Sequence, residues 1–517
     1  MRARIYAAAT LAAILAAAGC GEKKANSPDA ASDKSAEAAG ANDKASDAND
    51  KVDAQAAPSR WAANPFPSTY EPYPSATTVI RGAIVLTGTG ERIDNGSVLI
   101  ENGKIAGIGD AGLAAPDGAI VINANGKWVT PGIIDIHSHL GDYPSPATDS
   151  TSDGNEATAP NTAQVWAEHS VWPQDAGFTR ALAGGITSLQ ILPGSANLFG
   201  GRSAILKNVP SRTVQGMKFP GAPYGLKMAC GENPKRVYGD KGGPSTRMGN
   251  FAGYRAAWIE AAAYKKKWEK YWDELDEWKA KDGDNKKNNK EGEAAKEPEA
   301  PTRDLKMETL AMALSGDITV NMHCYRGDEM AQVIDMSKEF GYKVSTFHHG
   351  VEAYKVADIL AEDGICAAVW ADWWGFKLEA YDSVRENAAL VDAQPNSCAI
   401  IHSDDEYGIQ RLNQEAGKAM GDGNRMGLKI TPERAIKWIT LNPAKAMRIA
   451  NQTGSLEAGK MADVVIWDRD PFSVYAKTEK VFVDGALLYD ASDPARSPRM
   501  DFEIGQQGNG FVGGAGQ

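Results

Sequence analysis

Two histidines at the end of an apolar segment are the first residues whose types and spacing indicate chemistry. Residues 129–136 read Val-Thr-Pro-Gly-Ile-Ile-Asp-Ile and lead into His137-Ser138-His139. The apolar run predicts a β-strand, and side chains two residues apart on a strand point to the same side. Both imidazoles can therefore face one metal ion such as Zn²⁺. This His-x-His pair predicts a metal centre at a strand end.

Three further candidates, His323, His349 and Asp404, each follow a short apolar run. A (β/α)₈ barrel uses about 31 residues for each strand–helix unit. His349 lies 26 residues after His323, close to one unit, and Asp404 lies 55 residues after His349, close to two. His139 precedes His323 by 184 residues, which is about four units once an insertion of roughly 50 residues is removed. The spacing places the candidates on strands 1, 5, 6 and 8, whose carboxyl ends share one mouth.

The rest of the chain divides by composition into regions that can build such a barrel. Short β-type runs with Asn-Gly and Asp-Gly turns occupy residues 76–131 and return at 452–491. Between them, residues 132–451 alternate apolar runs with helical patterns, which is typical of a parallel sheet with crossover helices. We expect an α/β fold, a (β/α)₈ TIM-type barrel with a small composite β-sandwich domain formed from both chain ends. A helical, aromatic-rich and then charged insertion is expected at about 252–305.

These motifs together resemble the metal-dependent amidohydrolase superfamily over about residues 77–490. The segments Leu-Asn-Pro-Ala at 441–444 and Gly-Ser-Leu-Glu-Ala-Gly-Lys-Met-Ala-Asp at 454–463 are similar to its C-terminal segment. Leu-Pro-Gly-Ser-Ala-Asn at 192–197 and Gly-Glu-Asn-Pro at 231–234 resemble its imidazolonepropionase-related branch. The resemblance implies one or two divalent metal ions, with zinc as the default. It also implies hydrolysis of amide-type C–N bonds in a small molecule, such as a cyclic amide, an imide or a dipeptide-like compound.

The resemblance assigns a role to each candidate. His137 and His139 would bind the more buried metal ion. His323 and His349 would bind a second ion or complete a single site. Asp404 would contact metal, act as general base towards the attacking water and then pass the proton to the leaving nitrogen.

A two-metal site also needs a bridging carboxylate, which in this superfamily is often a carboxylated lysine. Glu232 and Lys227 are the candidates here. Because they lie five residues apart, they face opposite sides of a regular strand. We expect Glu232, at the apparent strand end before Pro234, to point into the site, with Lys227 as the alternative.

The other histidines have simpler expected roles. His348 should face away from the mouth because it alternates with His349. His402 shares a face with Asp404 and is expected in a lower barrel layer or as a support for the ligands. His169 follows a polar segment and is expected on a loop.

Tyr325 and Arg326 begin the loop after strand 5, where they are candidates for substrate binding. The Arg326 guanidinium could hold a substrate carboxylate. A surface salt bridge is the alternative role for this arginine.

The N-terminus predicts export and lipid anchoring. Two arginines precede an apolar run at residues 5–18, and Ala-Ala-Gly-Cys at 17–20 resembles the lipobox of bacterial lipoproteins. We expect a signal peptide at 1–19, lipidation of Cys20 and a disordered tether at 20–75. The expected location is the outer membrane, facing the periplasm of a Gram-negative bacterium. An ordinary cleaved signal or a chance alanine-rich helix is the alternative. A disordered tail is expected at 505–517.

Net charge bears on which macromolecules the protein can bind, and cysteine content bears on its disulfides. The formal net charge of −12 argues against nucleic acid as a partner. Besides Cys20 there are four cysteines with no Cys-x-x-Cys pair, so we expect mostly core thiols, with a disulfide as the alternative in an oxidising compartment. The functional hypotheses are an amide hydrolase, a deaminase of a nucleobase-like ring, and a non-catalytic binding lipoprotein on the same barrel.

Overall fold

The computed structural model describes residues 60–61, 64–145, 147–287 and 296–497, and it describes side chains up to residue 281 in the third of these ranges. The predicted signal peptide, Cys20, the first part of the tether and the C-terminal tail lie outside the described residues. Within the described part of the chain, no helix combines the length and apolar composition needed to cross a membrane.

The first strands belong to a small sheet. They are β1 (Thr78–Leu86), β2 (Arg92–Glu101), β3 (Lys104–Gly109), β4 (Ile120–Asn123) and β5 (Trp128–Pro131). β2 and β3 form an antiparallel hairpin, and its turn residues Asn102 and Gly103 have positive φ angles of 51° and 75°. The Asn-Gly signal in the sequence works because asparagine and glycine tolerate this left-handed backbone.

A second sheet forms the barrel. Its strands are β6 (Ile133–Ser138), β7 (Ile186–Ile191), β8 (Phe199–Lys207), β9 (Gly225–Ala229), β10 (Thr319–His323), β11 (Val344–His348), β12 (Cys366–Val369) and β13 (Ala399–Ile401), hydrogen-bonded in sequence order. Most of their residues are buried, as expected for strands covered on both faces. The eight-stranded TIM-type barrel is therefore present and nearly closed.

One strand departs from the expected all-parallel sheet. β8 pairs antiparallel with both β7 and β9. Only residues 192–198 connect β7 to β8, and parallel neighbours need a crossover of about a dozen residues or more. A hairpin-type connection is therefore the arrangement that this short segment allows.

Helices follow most of the parallel strands. They are α1 (Ala176–Ala183), α2 (Glu232–Tyr238), α3 (Arg247–Lys287), α4 (Leu305–Leu314), α5 (Gly327–Phe340), α6 (Ala357–Glu362), α7 (Asn387–Asp392), α8 (Leu412–Arg425), α9 (Pro432–Ala435) and α10 (Leu441–Ala446). The helix expected in the insertion is α3, which begins before the predicted insertion and is 41 residues long.

The C-terminal strands return to the small sheet. They are β14 (Val464–Trp467), β15 (Thr478–Val483) and β16 (Ala486–Asp490), and β14 pairs with β5. Hydrogen bonding joins these three strands and β1–β5 into one sheet, rather than the two separate sheets expected for a sandwich. Buried Lys207 on β8 connects barrel and sheet, because its Nζ lies 3.0 Å from Asp463 Oδ1 and 3.1 Å from Asp484 Oδ2.

The expected tether is wrong for its last residues, which pack against the folded domain. Trp61 is 7% exposed, and its ring centroid lies 6.1 Å from that of Tyr264 and 4.9 Å from that of Trp272 on α3. The Tyr73 hydroxyl donates to the carbonyl oxygen of Pro210 at 2.6 Å. Large aromatic side chains bury enough apolar area to order this segment, whereas a tether prediction weighs average composition.

All four described cysteines form disulfides, so the expectation of core thiols was wrong. Cys230 pairs with Cys324, and Cys366 pairs with Cys398. The first bond joins the residues that follow β9 and β10, at the carboxyl end of the barrel. The second joins the first residue of β12 to the residue before β13, at the opposite end. Neighbouring parallel strands bring each pair together although the cysteines are 94 and 32 residues apart in sequence.

Candidate active site

Imidazoles from both edges and the middle of the barrel sheet meet at its carboxyl end. His137 lies on β6 and His139 follows it directly, while His323 ends β10, His349 follows β11 and His402 follows β13. The His349 ring centroid lies 4.3 Å from that of His137, 4.9 Å from that of His323 and 4.7 Å from that of His402. The structure therefore brings His137, His139, His323 and His349 together at one end of the barrel, and it places His402 beside them.

Asp404 joins this histidine cluster. Its Oδ1 lies 3.3 Å from His137 Nε2 and 3.2 Å from His139 Nε2, and its Oδ2 lies 3.9 Å from His349 Nδ1. Asp404 has a φ angle of 60°, a left-handed conformation that aspartate tolerates better than most residues. The turn after β13 therefore aims this carboxylate at nitrogens from two other strands.

Burial keeps four of these imidazoles neutral, those of His137, His323, His349 and His402. The pKa values of His137, His323 and His349 lie well below the usual histidine value, because burial disfavours the charged ring and Lys227 adds repulsion. Burial likewise lowers the pKa of His402 to about 3. Neutral imidazole is the form that coordinates a metal ion, so the rings are ready for coordination at neutral pH.

Several ring nitrogens in the cluster lack a protein partner. Among the described residues, His323 Nδ1, His349 Nδ1 and both nitrogens of His402 are buried without a hydrogen bond. Buried polar atoms are almost always satisfied. Ligand atoms of His137, His349 and His402 lie within 4.8 Å of one another, as do those of His137, His139 and Asp404. These donor sets fit a divalent metal ion bound by nitrogen and oxygen.

Lys227 and Glu232 are arranged opposite to the expectation. Lys227 is fully buried on β9, and its Nζ lies 3.4 Å from His137 Nε2. Glu232 instead begins α2, where its Oε1 lies 3.7 Å from Lys377 Nζ. β9 ends at Ala229, and the positive φ of 72° at Gly231 turns the chain before Glu232. The strand alternation assumed for Glu232 therefore stops too early to apply.

His348 also lies inside the barrel, contrary to the expectation. Its Nδ1 is 2.9 Å from His137 Nδ1, and its Nε2 is 3.1 Å from Asn321 Oδ1. β11 ends at His348, and His349 has a positive φ of 58°. This backbone turn breaks the alternation, so both neighbouring histidines reach the interior. His348 therefore contacts the His137 ring on the side away from Nε2.

Sequence reasoning overlooked Asp135 and Ser403. The Ser403 hydroxyl donates to Asp135 Oδ2 at 2.5 Å, and the His137 backbone N–H donates to Asp135 Oδ1 at 3.2 Å. Burial raises the pKa of the Asp135 carboxyl to about 7. The signal was available, because Asp135 precedes His137 by two residues and so shares its side of the strand.

Of the two substrate-binding candidates after His323, one lies beside the histidine cluster and the other points away from it. Tyr325 is buried beside the cluster, with its ring centroid 4.6 Å from that of His323. Arg326 points outward and its Nε lies 2.9 Å from Asp328 Oδ1, which is the surface salt bridge given as the alternative. His169 stacks on Trp166 at a centroid distance of 5.6 Å and lies outside the cluster.

Comparisons with known proteins agree with this architecture. Residues 128–488 match the amidohydrolase family. Amidohydrolase tasK of Hapsidospora irregularis is 31% identical over 411 residues, which cover 76% of this chain and 40% of that protein. The 5-methylthioadenosine/S-adenosylhomocysteine deaminase of Bacillus cereus (strain AH820) is 32% identical over 119 residues, 22% of this chain and 25% of that protein. The chain thus spans about two fifths of the first relative and a quarter of the second.

A solved structure extends the likeness to the fold. The amidohydrolase from Thermotoga maritima MSB8 is 34% identical, with a TM-score of 0.65, and the match covers 80% of this chain and 100% of that chain. The barrel and the histidine-rich centre of this chain, described above, agree with its likeness to an amidohydrolase. The chain belongs to the amidohydrolase family.

Proposed function

We propose that this protein is a metal-dependent hydrolase that cleaves amide-type C–N bonds in small molecules. The observation that carries the proposal is the contact of Asp404 with His137 and His139, beside buried nitrogens of His349 and His402 that lack protein partners. Zinc is the first metal to test, because histidine and carboxylate ligands suit it. Segments 192–197 and 231–234, which resemble the imidazolonepropionase-related branch, favour a cyclic amide among the substrates.

In this proposal, His137, His139 and Asp404 would hold one divalent ion, while His349 with His323 or His402 would hold a second or complete the first site. Bound metal supplies Lewis-acid chemistry, polarising the carbonyl and lowering the pKa of water. Asp404 accepts a proton from the attacking water and returns it to the leaving nitrogen.

Two buried side chains, His348 and Lys227, have supporting roles in the proposed metal site. His348 contacts His137 Nδ1 and so directs Nε2 of the same ring towards Asp404. Lys227, whose pKa burial lowers to about 7, can be neutral and react with carbon dioxide to form a carbamate. That carbamate would supply the bridging carboxylate of a two-metal site, in place of Glu232.

The test is hydrolysis of a panel of lactams, hydantoins and dipeptides by metal-loaded and chelator-treated protein. We expect activity on at least one class, its loss on chelation and its recovery on adding zinc. His137→Ala should abolish activity, and His169→Ala, outside the cluster, is the matched control. Activity that is indifferent to both chelation and His137→Ala would contradict the proposed mechanism.

Deamination of a nucleobase-like ring is the second candidate. The local similarity to a deaminase over 119 residues supports it, and the same general base could deliver water to a carbon that bears an amino group. Release of ammonia from an aminopurine without ring opening would favour this reaction over amide hydrolysis.

For location, we propose the lipid-anchored, outer-membrane form expected from the sequence. Two disulfides in the folded domain support maturation in an oxidising compartment. In a Gram-negative host, incorporation of labelled palmitate and recovery in outer-membrane fractions should both be lost in Cys20→Ser. Unlabelled, soluble wild-type protein would contradict the anchor.

A further inference from the structure

The loop after β12 carries aromatic side chains from the histidine cluster to the surface. Trp370 stacks on His349 at a centroid distance of 4.5 Å and an interplanar angle of 27°. Its centroid lies 5.5 Å from that of Trp373 and 5.8 Å from that of Phe376. We call Trp370, Trp373 and Phe376 the aromatic rim.

The aromatic rim is buried at its inner end and open at its outer end. Trp370 is 5% exposed, whereas Trp373 and Phe376 are 44% and 54% exposed. The Trp370 indole N–H donates to the Ser403 carbonyl oxygen at 3.2 Å, which fixes the ring in its stacked position. Exposed aromatic rings grouped beside a reaction centre mark a binding surface for apolar groups.

A cation borders the aromatic rim, but its hydrogen-bonding capacity is already used. Lys377 Nζ donates to Asn233 Oδ1 at 2.6 Å and to the Tyr325 hydroxyl at 3.3 Å, and it lies 3.7 Å from Glu232 Oε1. The same ammonium lies 5.7 Å from the centroid of Phe376. Because protein groups satisfy this charge, the rim favours an uncharged substituent over a carboxylate.

We propose that the aromatic rim binds an aromatic or bulky apolar substituent of the amide substrate, next to the bond that is cleaved. The inference rests on the proposed hydrolase function and names its substrate class. The chain of ring contacts carries it, since exposed Trp373 and Phe376 both pack on Trp370, which stacks on the candidate metal ligand His349.

The test compares matched amides that differ in one substituent, N-acetyl against N-benzoyl on the acyl side and methylamide against benzylamide on the amine side. We expect kcat/KM to be about tenfold higher for the aromatic member on one side, as one stacked ring contributes. In the double variant Trp373→Ala, Phe376→Ala, this preference should fall by about the same factor, mainly through KM. Tyr475→Ala, an exposed aromatic at 73% in the β14–β15 connection, is the control and should keep the preference.

Equal kcat/KM for aromatic and methyl members, or a preference unchanged in the double variant, would overturn the inference. The double variant could also change its oligomeric state, measured by light scattering, while it keeps the preference for aromatic amides. That result would assign the aromatic rim to contact with a second copy of the chain and would also overturn the inference. If no amide is hydrolysed, the proposed function fails, and calorimetry of the benzylamide against the methylamide decides the inference alone. Tighter binding of the benzylamide that the double variant loses would sustain it, and equal binding would reject it.

Discussion

The backbone N–H of Asp404 donates a 3.0 Å hydrogen bond to the carbonyl oxygen of His137. Their side chains also meet, with Asp404 Oδ1 3.3 Å from His137 Nε2. The first bond connects the segment after β13 to β6, the two edges of the barrel sheet. The same pair of residues therefore takes part both in closing the barrel and in assembling the candidate metal site.

Replacement of Lys227 should lower activity strongly if this side chain supplies the bridging group of a two-metal site. Lys227→Met keeps much of the side-chain volume but removes the amine that can form a carbamate, so we expect roughly a tenfold to hundredfold loss of kcat, as when a ligand-supporting group is lost. Wild-type protein given ¹³C-bicarbonate should show a protein-bound carbamate signal by NMR that Lys227→Met lacks. Glu232→Gln is the control, because Glu232 lies on α2 outside the cluster. A larger loss in Glu232→Gln than in Lys227→Met would restore the original assignment of the bridging group.

His402 is expected to contribute to metal binding rather than to packing alone. Both of its ring nitrogens are buried without a partner among the described residues, a state that costs roughly 1–3 kcal/mol per polar group unless a ligand satisfies it. His402→Leu should therefore raise the stability of metal-free protein and lower the zinc bound per chain, measured by mass spectrometry of the metal. Unchanged zinc content with raised stability would make His402 a core residue.

The two disulfides should differ in their effect on the site. Removing Cys230–Cys324 as a double alanine variant should lower the free energy of unfolding by roughly 4–5 kcal/mol, and removing Cys366–Cys398 by roughly 3–4 kcal/mol. Only the first should weaken zinc affinity, because Cys324 directly follows His323 and the Cys230 N–H donates to the His323 carbonyl oxygen at 2.9 Å. Competition with a chelator, at a temperature where both variants are folded, measures this. Equal zinc affinities would show that the first disulfide does not position the ligands.

Glu329 on α5 should make stability depend on pH. It is fully buried, and neither carboxylate oxygen has a hydrogen-bond partner in the described part of the chain. Burial raises its pKa from 4.5 to about 7. The unfolded chain ionises first as pH rises, so folding loses up to about 3 kcal/mol between pH 4.5 and 7, and the loss is complete above pH 7.

Glu329→Gln should therefore become more stable relative to wild type as pH rises from 4.5 to 8, measured by urea denaturation. Glu339→Gln is the control, because Glu339 lies exposed on the same helix and pairs with Arg255 at 2.6 Å. A stability difference between Glu329→Gln and wild type that is constant across this pH range would contradict the assignment.

The sequence was sufficient for residues that lie on regular strands. His137 and His139 follow from strand alternation, and His323 and Asp404 follow from the length of barrel units. The failures lie where the chain leaves regular geometry. Lys227 and not Glu232 points into the site, because β9 ends before Gly231. His348 lies inside the barrel, contrary to the prediction, because the positive φ of His349 breaks the strand alternation.

Tertiary pairing was also beyond sequence reasoning. The partners of Cys230 and Cys366 depend on which strands are neighbours, and spacing alone does not fix this. The antiparallel direction of β8 follows from its short connection to β7, but the exact ends of both strands had to be known first.

The aromatic contact of Trp61 with α3 sets the N-terminal boundary for recombinant production. A chain begun at residue 76, where composition places the start of the folded domain, would leave Tyr264, Trp268 and Trp272 without the ring that covers them. It would also remove the Tyr70 hydroxyl from buried Asp484. Truncated versions intended for crystallisation should therefore begin upstream of Arg60. A later start would expose aromatic side chains of α3 that promote aggregation.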